Sequence, residues 1–139
     1  MIRGREVGIV KALLQQCQLP SSDLTDAHFD HFIARRADDL LEGVVGLELY
    51  PPVALLRSLA VAPALRGRGI GQALLADAER YARERDVKDI FLLTTSAERF
   101  FARAGYERIG RAAAPAAIQH TQEFSTLCPA SSAFMRKRL

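Results

Sequence analysis

A glycine-rich turn between an apolar strand and an amphipathic helix constrains this chain more than any other feature. Val53–Val61 is a largely apolar run that Pro63 stops, and Arg66-Gly67-Arg68-Gly69-Ile70-Gly71 follows it. Beyond the turn, apolar residues recur at helical spacing, at Leu74, Leu75, Ala78 and Ala82. Glycines let a backbone approach an anion closely, and the unpaired N–H groups of a first helical turn point at it. The segment therefore predicts a strand–loop–helix unit that binds a phosphate-bearing ligand.

The remaining pattern predicts one mixed α/β domain over residues 1–139. The predicted elements are helix 6–18, short helix 23–29, hairpin 31–50, strand 53–61, a helix up to 86, strand 90–94, helix 97–104, strand 106–111 and strand 131–136. Val45, Leu47 and Leu49 alternate along the second hairpin arm and are expected on one face. A chain of 139 residues has the size of a single domain.

Composition and charge narrow the classes of partner. Hydrophobic residues make up 49% and charged residues 25%, which is typical of a globular domain. The net charge of +3 is spread along the chain, there is no Trp, and Arg136–Arg138 is interpreted as a solvated tail, so no nucleic-acid partner is predicted. Lys11 interrupts the apolar run Val7–Val10, so neither a signal peptide nor a membrane span is predicted. Cys17 and Cys128 are expected as free thiols in a cytoplasmic protein.

Three phosphate-binding patterns can be compared with the glycine-rich turn. The P-loop ends in Gly-Lys-Ser/Thr, which this chain lacks, and the dinucleotide fingerprint would need a glycine where Gln72 stands. The pattern Gln/Arg-x-x-Gly-x-Gly/Ala matches at Arg66, Gly69 and Gly71. The alternative is a glycine turn that holds no ligand. On this match the turn resembles the pyrophosphate loop of the GCN5-related N-acetyltransferase (GNAT) superfamily.

The resemblance extends over most of the chain. Leu56–Val61 looks like the fourth strand of the superfamily and Phe91–Thr95 like the fifth, while Ala97–Tyr106 follows the pattern Ala-x-x-Phe-Tyr-x-x-x-Gly-Phe. It implies an α/β fold with a mixed, mostly antiparallel central sheet, splayed fourth and fifth strands and flanking helices; the first strand, near Ile2–Arg5, is short or missing. It also implies acetyl-CoA as the donor and no metal. The residues implied to bind acetyl-CoA are Leu59, Ala60, Val61, Arg66, Gly67, Arg68, Gly69, Ile70, Gly71, Gln72, Thr94 and Phe100.

Four segments resemble one branch more closely, that of the arsenic-resistance N-acetyltransferases and short-form N-acetylglutamate synthases. They are Leu55–Leu59, Leu92–Thr95, Phe124 with Leu127–Ser132, and Met135–Lys137. This likeness implies a small acceptor, either an amino acid such as glutamate or a toxic analogue such as arsinothricin. Arg57, beside the expected cleft, offers a bidentate partner for the acceptor carboxylate, the alternative being a surface arginine. By the same resemblance Ser58, Thr95, Ser131 and Arg136 are expected to join it.

The implied reaction is direct attack of a neutral amine on the thioester. Backbone groups of Leu59 and Ala60 are expected to polarise the carbonyl, as in the superfamily. Glu48, which shares a strand face with Tyr50, is the candidate base; a half-exposed structural carboxylate or a water relay are the alternatives. Phe101 stands where many relatives carry a tyrosine that acts as the acid. A thiol with a pKa near 8.5 can leave as thiolate without it.

Two further readings of function stay open from the sequence. One is a degenerate acetyl-CoA-binding or sensing module, which Phe101 favours. The other is an acetyltransferase that acts on a protein terminus or lysine. The three histidines show no ligand or triad spacing, and Cys128 has no partner histidine at a motif-like spacing, so it is expected as a buried thiol. A homodimer through sheet edges or C-terminal strands is one expected assembly, because superfamily members often form one.

Overall fold

A computed structural model describes residues 2–139 and contains a six-stranded sheet with helices on both faces. The strands are β1 (Phe32–Ala37), β2 (Leu40–Tyr50), β3 (Val53–Val61), β4 (Asp89–Thr94), β5 (Glu107–Arg108) and β6 (Ala133–Arg138). The helices are α1 (Arg5–Gln16), α2 (Asp26–Phe29), α3 (Ile70–Glu84), α4 (Glu98–Arg103) and α5 (Ala116–Gln119), joined by 3₁₀ turns at Pro63–Leu65 and Arg111–Ala113 and a π-helical turn at Glu123–Leu127. Across residues 2–139, no helix combines the length and the apolar character needed to cross a membrane.

The order of strands in the sheet is β1-β2-β3-β4-β6-β5, and only β3 and β4 are parallel. Those two strands pair from Val53 opposite Asp89 to Leu55 opposite Phe91 and then diverge. The predicted mixed, mostly antiparallel sheet is confirmed, with its splay between β3 and β4. The carboxyl-terminal halves of both strands therefore leave a gap in the middle of the sheet.

A β-bulge lies on β3 beside this gap. Val44 pairs with Ala60 and Gly46 pairs with Arg57, so Ser58 and Leu59 together oppose a single residue of β2. Ser58 has a φ of +59°, an uncommon conformation for a residue other than glycine. A bulge bends its strand and redirects the neighbouring side chains. Arg57 and Ser58 are consequently both buried.

The core is divided between the two faces of the sheet. On one face, α3 packs Leu74 and Ala78 onto the side chains of Val45 and Leu47, with Leu49 at the edge, as the alternation along β2 predicts. The opposite face carries two clusters, one built around α1 and the other around α5. On the face of the sheet that α3 covers, the Lys137 ammonium lies 3.0 Å from both carboxylate oxygens of Glu79. It also donates a hydrogen bond to the Ala104 carbonyl at 2.8 Å.

The structure differs from the predicted elements mainly after residue 106. The strand predicted over 106–111 contains only Glu107–Arg108, because the chain turns at Gly110 into the 3₁₀ turn. The closing strand runs over Ala133–Arg138 rather than 131–136, and the turn Glu123–Leu127 was not predicted. Helix α1 begins at Arg5, and the described residues 2–4 contain no strand.

Candidate acetyl-CoA and acceptor site

A cavity of about 1320 Å³ opens where β3 and β4 diverge. Its walls come from the end of α1, the second half of β3, the glycine-rich turn, the β4–α4 connection and the π-helical turn. Among the residues expected to bind acetyl-CoA, those that line it are Leu59, Ala60, Val61, Arg66, Gly67, Gly69, Gly71, Gln72, Thr94 and Phe100. Arg68 and Ile70 belong to the same turn, but Arg68 is exposed and Ile70 packs against the α3 core.

The glycine-rich turn presents the start of α3 to this cavity. Gly67 and Gly69 have φ values of +82° and +80°, which residues with a Cβ rarely adopt. Gly69 is the N-cap, and no side chain among residues 2–139 caps the helix, so the first N–H groups of α3 stay available. Arg66 lies on the cavity wall, with its Nη2 3.4 Å from the Cys17 sulfur. The turn thus offers backbone donors, the positive end of a helix dipole and a guanidinium to an anion.

Beside the turn, helix α4 contributes an apolar wall. Phe100 and Phe101 both line the cavity and pack edge-to-face, with ring centroids 5.1 Å apart. Phe101 carries no hydroxyl, so this position supplies no acid. Thr94 is committed to the fold, because its Oγ1 accepts a hydrogen bond from the backbone N–H of Ala97 at 3.0 Å.

Arg57 lies at the inner end of the cavity among three carboxylates. Its guanidinium binds Asp23 in a bidentate pair at 2.6 and 2.8 Å, and its Nη1 donates to Glu48 at 2.8 Å. Its Nε lies 3.1 Å from a carboxylate oxygen of Glu123 and 3.3 Å from the Ser58 hydroxyl. Burial works against the charge of Arg57, but the hydrogen bond with Asp23 and the other two carboxylates outweigh it and raise its pKa. The predicted carboxylate clamp is thus already occupied by the protein's own acids.

Glu48, the base candidate from the sequence, lies behind Arg57. One of its oxygens accepts from Arg57, and the other accepts from the Tyr50 hydroxyl at 2.7 Å. Within residues 2–139, which the structure describes, Glu48 is not part of the cavity wall. Burial, followed by the hydrogen bond to Glu48, raises the pKa of Tyr50. The geometry corrects the sequence interpretation: Glu48 holds Arg57 and does not reach toward a substrate.

Asp23, His28 and Glu48 also place potential metal-ligating atoms within 4.8 Å of one another. Both acids already bind Arg57, and His28 Nε2 lies 3.8 Å from Glu48. Burial opposes the charge on Asp23, yet the hydrogen bond from Arg57 lowers the pKa of this carboxyl below its ordinary value. The cation that these oxygens hold is the Arg57 guanidinium.

Glu123 is a site residue that the sequence interpretation missed. It lines the cavity and is 4% exposed. Its Oε2 has no hydrogen-bond partner among residues 2–139, since the nearby Arg57 N–H is not directed at it. Burial, with the charges of Glu48 and Asp23 adding to it, raises the pKa of Glu123 to about 7 despite the attraction of Arg57. Its place beside Phe124 and Leu127, in a segment singled out for its family likeness, was the only available signal.

The remaining predicted acceptor residues are not all brought together. Ser58 and Thr95 line the main cavity, and Ser131 lies with Thr95 in a neighbouring hollow of about 490 Å³. Arg136 is at the opposite end of β4, where its Nε and Nη2 donate to Asp89 at 3.0 and 2.8 Å. It therefore pairs two strands of the sheet and, among the described residues, lines neither hollow. Burial raises the pKa of the Cys128 thiol to about 12, and the adjacent Glu123 charge adds to the shift.

The fold and the cavity agree with what sequence comparison shows: the chain belongs to the Acetyltransferase (GNAT) family, whose family model matches residues 7–110. An uncharacterised N-acetyltransferase of Chlorobaculum tepidum is 36% identical over 81 residues, which are 58% of this chain and 51% of that protein. The chain thus spans about half the length of this curated relative.

Solved structures share the fold over nearly the whole chain. The N-acetylglutamate synthase of Neisseria gonorrhoeae, in complex with coenzyme A and N-acetylglutamate, has a TM-score of 0.86 at 21% identity, over 99% of this chain and 34% of that one. Rv2747 of Mycobacterium tuberculosis, in complex with CoA, has a TM-score of 0.82 at 22% identity, over 99% and 96%. An aminoglycoside 6′-N-acetyltransferase complexed with coenzyme A has a TM-score of 0.74 at 15% identity, over 98% and 92%.

Proposed function

We propose that this chain is an acetyl-CoA-dependent N-acetyltransferase that acts on the amine of a small amino-acid-like acceptor. The glutamate-like amino acids and their toxic analogues, such as arsinothricin, are the acceptors to be tested first. One observation carries the proposal: a single cavity joins an anion-binding turn at Gly69 to the buried charged cluster around Arg57. The N-acetylglutamate synthase fold match and the branch-like segments support the choice of acceptor.

The proposed reaction needs little covalent chemistry from the protein. The amine nitrogen attacks the thioester carbonyl carbon, a C–N bond forms, and the C–S bond breaks as the sulfur takes its electron pair. Beyond Leu55 the edge of β3 that faces β4 has no strand partner, so backbone groups near Leu59 and Ala60 are free to bind the donor and its carbonyl. Phe101 supplies no proton, and a CoA thiol with a pKa near 8.5 leaves as thiolate.

Volume supports a two-substrate site. Ligand pockets commonly measure about 300–1,000 Å³, whereas this cavity has about 1320 Å³. The glycine-rich turn occupies one side, and the Arg57 cluster lies at the inner end. A donor bound along the turn would therefore leave room for a small acceptor beside Ser58 and Glu123.

The test is acetyl-CoA turnover, followed by the release of free thiol, over a panel of acceptors. The panel contains glutamate, other amino acids, arsinothricin and short peptides with a free amino terminus or lysine. We expect turnover on at least one amino acid or analogue, with little on the peptides. Turnover only on the peptides would contradict the amino-acid acceptor. Calorimetric binding of CoA with no turnover on any acceptor would instead favour a binding or sensing module.

Several wider features are proposed alongside this activity. Two free cysteines, Cys17 and Cys128, are consistent with a reducing compartment such as the cytoplasm. Activity is expected to persist after treatment with a chelator, since direct transfer needs no metal. A homodimer is one proposed assembly, which sedimentation would test. A role in arsenic resistance would require arsinothricin to be a better acceptor than glutamate.

A further inference from the structure

The charged cluster at the inner end of the cavity contains more acid than base. Arg57 faces Asp23, Glu48 and Glu123, and its side chain is fully buried. Its donors are used by the protein, since Nη2 also donates to the Pro20 carbonyl at 3.3 Å and Nε to Ser58. A carboxylate arriving from a substrate would find no free donor on Arg57 and would meet three acids. A positively charged or hydrogen-donating group would be attracted instead.

Within this cluster, Glu123 is the acid that lines the cavity, whose wall among the described residues includes neither Asp23 nor Glu48. Asp23 and Glu48 accept hydrogen bonds from Arg57, whereas Oε2 of Glu123 accepts none from residues 2–139. This oxygen has almost no accessible surface and lies 3.1 Å from Arg57 Nε, so it belongs to the ion pair that holds Glu123 in place. Glu123 is more than nine-tenths buried and lines the cavity. An amine in the cavity, as a cation with N–H donors, is the group that the Glu123 carboxylate would attract.

Resting on the function proposed above, we infer that Glu123 binds the acceptor amine and takes its proton, while Arg57 positions Glu123. The ammonium gives one proton to the Glu123 carboxylate, and the freed lone pair forms the C–N bond with the acetyl carbon. The C–S bond breaks, and the second proton lost by the nitrogen goes to the departing sulfur, which gives the free thiol. The proton on Glu123 returns to solvent through the cavity. The products are therefore one amide, one free thiol and one proton released to solvent.

The surroundings of Glu123 suit this role. Arg57 faces it from β3, Glu48 from β2, Asp23 from the loop before α2, and Cys128 follows it in the chain. Burial and the two acids raise the pKa of Glu123 to about 7. A base is most effective when its pKa lies near the working pH, because it is then both available and strong enough to take a proton. Glu48, with both oxygens occupied, lacks this freedom.

The test compares Glu123→Gln with wild type on an acceptor found in the panel. We expect kcat to fall about 10²–10⁴-fold, the usual contribution of a positioned base. The affinity for acetyl-CoA, measured by calorimetry, should stay within about twofold, since the variant leaves the glycine-rich turn unchanged. In wild type, kcat should rise with pH through about 7. In Glu123→Gln the rise should move to the pKa of the acceptor amine.

Three further variants make the result specific. Glu123→Asp keeps the carboxylate on a shorter side chain and should recover part of the rate together with the rise near pH 7. Glu48→Gln should keep a rise, moved below pH 7 because the charge of Glu48 helps to raise the pKa of Glu123. The exposed Glu107→Gln is the matched control and should behave as wild type.

Each contrary outcome has its own meaning. More than half the wild-type kcat in Glu123→Gln, with the pH profile unchanged, would overturn the role of Glu123 and leave the proposed function standing. Loss of the rise in kcat at every pH below the pKa of the acceptor amine in Glu48→Gln, but not in Glu123→Gln, would give the role to Glu48. A wild type that binds CoA but acetylates no amine would overturn the proposed function and this inference with it.

Discussion

Replacing Glu123 by glutamine should make the folded protein more stable at neutral pH. The folded-state pKa of this carboxyl is about 7 against an ordinary 4.5, so folding favours its neutral form. Below about pH 4.5 the carboxyl is protonated in both states and carries no penalty. As the pH rises, the unfolded chain ionises first, and the folded state loses stability until Glu123 itself ionises near pH 7. Glutamine resembles the neutral form at every pH and avoids this loss.

The magnitude follows from the two pKa values. A separation of roughly 2.5 pKa units, at about 1.4 kcal/mol each, gives about 3 kcal/mol by pH 8. For a chain of this size that is a Tm increase of about 10 °C. Arg57 remains paired in the variant, because Asp23 and Glu48 still accept its hydrogen bonds.

Thermal unfolding of wild type, Glu123→Gln and the exposed control Glu107→Gln, each at pH 4 and pH 8, measures the effect. We expect the Glu123→Gln advantage at pH 8 to shrink toward zero at pH 4, and the control to stay within about 0.5 kcal/mol of wild type. A Glu123→Gln protein that is no more stable than wild type at pH 8, or whose advantage does not depend on pH, would refute the reasoning.

Three other predictions follow from separate parts of the molecule. Gly69→Ala should weaken acetyl-CoA binding by tenfold or more in calorimetry. The φ of +80° at this position is strained for a residue with a Cβ, and the position lies in the turn proposed to bind the ligand. Equal affinity would remove Gly69 from the donor site. Cys128 should react with iodoacetamide more slowly than Cys17 at pH 8, because a thiol pKa of about 12 leaves a thiolate fraction of about 10⁻⁴. Faster labelling of Cys128 would contradict the raised pKa of this half-buried thiol. Lys137→Met should lower the free energy of unfolding by about 2–3 kcal/mol, because it leaves the Glu79 charge without its ammonium partner. Adding Glu79→Gln to this variant should restore part of the lost stability. An unchanged free energy of unfolding in the single variant would mean that the pair contributes nothing.

The glycine-rich turn could be predicted because its signal is local. The signal consists of the glycine spacing, the preceding strand and the following helix, all within about twenty residues. Each of these features determines the backbone conformation directly. The structure places Gly67 and Gly69 in the left-handed conformations that such a turn requires. Arg68 was expected to add positive charge and Ile70 was included with the turn, but spacing alone does not say which side chains point outward.

The acceptor side could not be predicted, because its charges meet from distant parts of the chain. Arg57 was correctly expected beside the cleft, but its partners come from residue 23, residue 48 and residue 123. A sequence pattern describes single positions and does not show which distant residues form pairs. The bulge at Ser58, which brings two consecutive residues into the interior, also has no sequence signal because a serine with positive φ is uncommon.

The gap between β3 and β4 has a consequence for how the protein avoids unwanted association. A strand edge without a partner normally invites another chain to add to it, and proteins protect such edges with charges, bulges or covering elements. Here two unpaired edges face each other inside a cleft, with β1-β2 on one side and β6-β5 on the other. A second protein's strand would have to enter edge-on between them. The same splay that opens the cleft therefore also keeps these two edges away from other chains.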